Sequence, residues 1–108
     1  MTKEKLFEEI LKLPTIEVGT VANDDQIIEG NQGRIHYKLT KEIIPSLGGL
    51  TLFALSTSGP VKGRLKFIQE VASEFGKPLY IGEFPRLPGI HFAFWEADSV
   101  EKRLRTRI

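Results

Sequence analysis

Leu50-Thr51-Leu52-Phe53-Ala54-Leu55, then Ser56-Thr57-Ser58-Gly59-Pro60-Val61-Lys62-Gly63-Arg64, then a periodic stretch to Phe75 and the run Leu79-Tyr80-Ile81-Gly82, decide the fold. The first six residues are apolar almost without a break, and a strand that is apolar on both faces is usually a central one. Gly48-Gly49 precede it and Ser56 to Pro60 follow it, so both ends carry turn chemistry. Leu65, Ile68, Val71, Ala72 and Phe75 then recur at helical spacing, with Lys66, Gln69, Glu70, Ser73 and Glu74 on most of the other face. Gly76 ends the helix and Pro78 prevents its continuation. Leu79-Tyr80-Ile81 reads as a second strand.

A strand, a helix and a strand this close together predict a right-handed crossover with the two strands parallel and side by side. The loop between the first strand and the helix then lies at the carboxyl edge of the sheet, where open α/β sheets usually bind ligands. Its backbone N–H groups stand at a helix N-terminus with Lys62 and Arg64 nearby, a setting that suits an anion. The same glycine and serines also serve a plain turn, which is the commoner use of such residues.

This unit resembles the central part of the GNAT acyltransferase fold: a strand, a pyrophosphate-cradling loop, a helix and a short strand. The family's loop carries Gln or Arg, two residues, Gly, one residue, then Gly or Ala. With Gly63 as the last of these, Ser58 stands where Gln or Arg is expected and Val61 where the first Gly is expected. Pro60 also removes an N–H from the loop. The family usually continues with a helix that often bears a catalytic Tyr, whereas Glu83 to Gly89 contains Pro85, Pro88 and Gly89. The resemblance covers about one third of the chain and implies a degenerate or shortened member that has lost chemistry and that binds, or once bound, an acyl-CoA such as acetyl-CoA. It would use Ser58, Gly59, Val61, Lys62, Gly63 and Arg64 as cofactor-binding residues, with Glu83 or His91 as the base that deprotonates an amine.

The chain of 108 residues is long enough for one domain, 1–108, with a single core. Lys plus Arg number 15 and Asp plus Glu 14, so the net charge of +1 points to no particular partner. There is no cysteine, which excludes disulfides, thiolate metal sites and thiol catalysis and fits a reducing compartment. No apolar run has membrane-spanning length and the N-terminal segment lacks a signal-peptide core, so cytoplasmic residence is expected. No Walker A loop, zinc spacing, Ser-His-Asp order or paired-carboxylate motif is present, and no metal is expected.

Thr2 to Leu13 reads as an amphipathic helix with Leu6, Phe7, Ile10 and Leu11 as its stripe, Thr2 as N-cap and Pro14 beyond its end. Thr15 to Ala22 alternates as a strand, and Gln26 to Glu29 is a short extension of it. Asp24, Asp25 and Glu29 lie close in sequence and read as a solvated turn more readily than as a cation site. Arg34 to Leu39 alternates cleanly, placing Ile35, Tyr37 and Leu39 on the core side and Arg34, His36 and Lys38 on the other. Lys41 to Leu47 reads as a short helical turn broken at Pro45. Glu83 to Gly89 is an irregular segment that Phe84 and Leu87 can anchor to the core, forming a pocket wall or a partner-binding loop.

Ile90 to Trp95 reads as the last strand. Ile90, Phe92 and Phe94 share one face, and His91, Ala93 and Trp95 share the other. Aromatics at this density are core material on a covered face and an adhesive patch on an open one. The partner-binding candidates are therefore Phe92, Phe94 and Trp95. His91 is the better placed histidine for acid-base work, because its neighbours would partly desolvate it. Asp98 can cap a final helix whose basic tail holds Lys102, Arg103, Arg105 and Arg107.

The expected architecture is an α/β (α+β) domain of order α-β-β-β-α-β-β with a short terminal helix. Its sheet is mixed and mostly antiparallel, with a central β-loop-α-β unit and one main covering helix. Three functions fit. The first is a GNAT-like N-acyltransferase domain. The second is a non-enzymatic protein-interaction module, such as a phage or mobile-element inhibitor or adaptor, working as a homodimer. The third is nucleic-acid binding through the basic strand face and tail.

Overall fold

The computed structural model describes residues 3–21 and 23–106, Lys3 by its backbone only. The expected roles of Thr2 as a cap, of Ala22 in a strand and of Arg107 in a basic tail fall outside the described residues. The chain runs α1 (Lys3–Lys12), β1 (Thr15–Glu17), β2 (Ile28–Gln32), β3 (Ile35–Ile44), β4 (Leu50–Ser58), α2 (Val61–Phe75), β5 (Tyr80–Glu83), β6 (Ile90–Glu96) and α3 (Ala97–Arg105). Among the described residues it is an α+β fold with one six-stranded mixed sheet in which only the β1–β3 pair is parallel.

The first strand is shorter than the alternation of Thr15 to Ala22 implied. It ends at Glu17 in a turn, and Ile28 to Gln32 is a strand of its own. Both pair with the long β3 along the same edge: β1 beside Lys41 to Ile43, β2 beside Ile35 to Leu39. Lys41 to Ile44 is strand rather than helical turn, because β4 pairs with it residue for residue as far as Ile44↔Leu50. Helical structure starts only at Pro45, in a 3-10 turn closed by Gly48 in the left-handed region.

Beyond β4 the sheet differs from the simple crossover. Its order is β1-β3-β4-β6-β5. β4 and β5 are each antiparallel to β6, so they run in the same direction. They are not neighbours, because β6 lies between them. A seven-residue apolar strand can pair on both edges, whereas the four-residue β5 takes the rim.

The helices cover one face of this sheet. Leu6 and Ile10 of α1, Phe67, Ile68, Val71 and Phe75 of α2, and Val100 and Leu104 of α3 share one core with Tyr37, Leu39, Phe53, Leu55, Ala93 and Trp95. By alternation these strand residues all lie on one side. Phe75 is the hub: its ring lies 5.5 Å from Phe7, 6.2 Å from Phe53 and 5.3 Å, edge-on, from Trp95. The Trp95 indole donates to the Gly76 carbonyl at 2.8 Å, so its one polar atom is satisfied inside the core. Arg103 of α3 donates to the Glu74 carbonyl at 2.9 Å and so satisfies an end carbonyl of α2, whose last turn has no basic residue of its own. Among the described residues, no helix is long and apolar enough to cross a membrane.

Candidate functional site

The connection from β4 to α2 is only Gly59-Pro60, because α2 begins at Val61. Val61, Lys62 and Gly63 are thus first-turn residues of the helix rather than members of an extended loop. No side chain caps this end, and the first turn has no acidic residue. Both glycines have packing reasons. Gly59 has φ +121° and a Cβ there would lie 2.5 Å from the Arg34 carbonyl oxygen. A Cβ on Gly63 would lie 2.7 Å from the Ile35 Cδ1. The turn therefore needs its glycines to let α2 approach the start of β3, whatever else it does. Ser58 ends β4 half-buried, while Val61 and Lys62 are exposed.

Arg64 behaves differently from its neighbours. Its side chain is 97% buried, at 3% exposure, directed under the segment that joins β5 to β6. There it meets Glu83, at the end of β5, and His91, near the start of β6. The Glu83 Oε2 lies 3.8 Å from Arg64 Nη2 and 3.8 Å from His91 Nδ1. These are ion-pair distances, too long for hydrogen bonds. Arg64 Nε and Nη1 and His91 Nδ1 are buried without a hydrogen-bond partner. The His91 carbonyl accepts from Thr57 Oγ1 at 3.1 Å, which ties this end of β6 to the buried face of β4. Three residues singled out from sequence, Arg64, Glu83 and His91, are thus brought together, whereas Ser58, Val61 and Lys62 are not part of that cluster. The helix stripe read from Leu65, Ile68 and Val71 missed the arginine. The signal was its place three and four residues before Phe67 and Ile68, on the face that is buried.

The second feature is on the opposite side of the sheet, which no helix covers among the described residues. Phe92 and Phe94 of β6 point there, and Tyr80 and Phe84 join them. Ring centroids are 4.6 Å apart for Phe84 and Phe92, 5.9 Å for Tyr80 and Phe94, and 6.0 Å for Tyr80 and Phe84. A groove of about 270 Å³ runs from Phe84, Phe92 and Phe94 to Lys38, Thr40 and Glu42. Burial pushes the Glu42 carboxyl above its ordinary value of 4.5. Trp95, expected as a partner-binding residue, instead belongs to the covered face at 1% exposure. Its face was the ambiguous one, since both sides of β6 are apolar. Leu79, Tyr80, Ile81, Phe84 and Leu87, by contrast, are 37–61% exposed along the β5 rim and the adjoining segment. The sequence pattern places Leu79 to Ile81 as a second strand beside β4; its shortness, between Pro78 and Gly82, fits the rim position it takes instead.

The basic strand face is less cationic than Arg34, His36 and Lys38 suggested. His36 Nε2 lies 2.7 Å from Glu29 Oε1 and its Nδ1 lies 3.1 Å from Asn31 Oδ1, both on β2. Lys38 is directly opposite Glu29, and Glu42 follows on the same face. Arg103 of the basic tail is engaged with α2 as described.

Compared with known proteins, the chain matches no family model, no curated protein and no solved structure.

Proposed function

We propose that this chain is a protein-interaction module that docks through the β5 rim and its adjoining aromatics, and that its occupant is a second copy of itself. The observation that carries this reading is the run of five large apolar side chains from Leu79 to Leu87, each more than a third exposed. By register Tyr80 and Phe84 share the open side with Phe94 and Phe92, while Leu79 and Ile81 alternate to the helix side, so the rim is apolar on both faces. Exposed apolar side chains close together mark interaction surfaces more often than scattered ones do. Among the described residues β5 pairs only with β6, which leaves its other backbone edge free. A free edge with no lysine or proline inside it invites another strand. Antiparallel self-pairing centred on Tyr80 sets Leu79 opposite the second copy's Ile81. It also sets Lys77 opposite the second copy's Glu83, so apolar and charged positions are both complementary.

Light scattering or sedimentation at tens of micromolar protein tests this. A dimer is expected, and Ile81→Lys should dissociate it to a monomer that keeps the wild-type circular dichroism spectrum, because Ile81 is 44% exposed and stands outside the core cluster. A monomeric wild type sinks the self-association reading.

The uncapped start of α2 favours a second reading, in which its first-turn N–H groups hold the diphosphate of an acyl-CoA as the GNAT resemblance implies. Acetyl-CoA would then raise the melting temperature of the wild type. Glu83 or His91 would act as the base. The absence of any shift at millimolar acetyl-CoA ends that reading and leaves the first untouched.

A further inference from the structure

We infer that Arg64 anchors a binding site for a small oxyanion beneath the segment joining β5 to β6. This goes beyond self-association and does not depend on it, since the residues concerned face the helices rather than the open side of the sheet.

The cluster around Arg64 has an imbalance of donors and acceptors. Arg64 is an always-charged group held at 3% exposure, and two of its three nitrogens have no acceptor. Its nearest carboxylate stays at 3.8 Å, short of a hydrogen bond. Burying a cation with unspent donors is costly, and native proteins rarely leave such donors unmatched. A third unmatched polar atom, His91 Nδ1, is buried in the same cluster. With its proton on Nδ1 the imidazole adds one more donor to the same place. Glu83 does not resolve the imbalance. Its side chain is 41% exposed, so it stands at the mouth of the cluster rather than inside it.

What the cluster lacks is therefore an acceptor, and a negatively charged one. Arg64 sits one turn into α2, whose start has neither a side-chain cap nor an acid, so the helix adds positive potential there. An oxyanion offers several acceptor oxygens around one centre, which suits a guanidinium and an imidazole that approach from different elements. Phosphate and carboxylate share this chemistry. The cover has the means to admit it: Phe84 to Gly89 is turn and irregular structure, Pro85 to Gly89 are exposed, and Gly89 has φ +87° with its Cβ direction 3.7 Å from Arg64 Nη1. The backbone thus passes directly over the guanidinium.

The test uses the full chain at pH 7, with inorganic phosphate and, separately, acetate, each against sodium chloride at equal ionic strength. Thermal melting of the wild type should rise saturably by about 5 °C or more with one of the two anions, a shift typical of a ligand well above its Kd acting on a domain of this size. Arg64→Lys should lose most of that rise, and His91→Gln should weaken the apparent affinity about tenfold. An independent readout needs no variant to be stable: the Arg64 Nε–H resonance of labelled wild-type protein should shift and exchange more slowly as the same anion is added. A response to phosphate assigns the site to phosphate-bearing ligands, and a response to acetate alone assigns it to carboxylates. No saturable change in melting or in the Nε–H signal with either anion overturns the proposal. A full thermal shift retained in Arg64→Lys overturns it as well, because the anion must then bind elsewhere.

Discussion

Glu42 shows how one carboxyl couples the open face to pH. Its pKa is raised by burial, so the folded chain holds its proton more tightly than the unfolded chain does. Below 4.5 both states are protonated and no stability is lost. As pH rises through the window from 4.5 to the raised value, stability falls and then levels off. Urea midpoints measured at pH 4 and pH 7 should show this loss in the wild type, and Glu42→Gln should flatten it. Gly59 gives a second expectation at this scale. Its φ of +121° and the Arg34 carbonyl 2.5 Å from an added Cβ make Gly59→Ala a backbone clash, costing about 2 kcal/mol or more in chemical denaturation. Gly63→Ala should cost much less. There the obstacle is the tip of the Ile35 side chain, which can move, and alanine improves the helix by about 1 kcal/mol.

Individual elements owe their positions to which of their faces is buried. β6 is apolar on both sides, yet its two sides do different things. The Trp95 side is locked into the core by Phe75 and by the bond to Gly76, while the Phe92 and Phe94 side lies on the uncovered face. Trp95→Ala should therefore destabilise the fold by about 3–5 kcal/mol in a denaturant titration. Phe94→Ser should cost less stability and act chiefly on association. A Trp95→Ala protein that keeps its wild-type unfolding midpoint would contradict this division. α2 is similar: its stripe runs through Phe67, Ile68, Val71 and Phe75, and Arg64 extends the same stripe to the sheet edge. That is why a charged residue ends up inside.

For the molecule as a whole, the sequence carried the local order well and the pairing less well. α1, the long apolar β4, α2 with its Gly76 stop, the alternating start of β3 and the final strand were all legible, because each has its own period or punctuation. Three things were not. The extension of β3 through Lys41 and Glu42 was hidden by Pro45, yet pairing with β4 and the Lys41–Glu101 ion pair hold it in the sheet. The insertion of β6 between β4 and β5 depends on which strand has two edges to satisfy, a property of the assembled sheet. The convergence of Arg64, Glu83 and His91 was also out of reach as geometry, since it needs both the buried arginine and that strand order. The individual residues were identifiable; their meeting was not.

The rim position of β5 has a bearing on how the sheet is completed. Among the described residues its one partner is β6, which follows it in sequence, so β5 can pair only once the chain has passed Glu96. Until then β4 keeps one edge bare and the Leu79 to Ile81 segment stays loose. The same dependence runs in reverse in the finished protein. β5 should be the first strand to peel away, and the Ile81 amide should exchange with deuterium sooner than that of Ala93, its neighbour in register but a member of an interior strand.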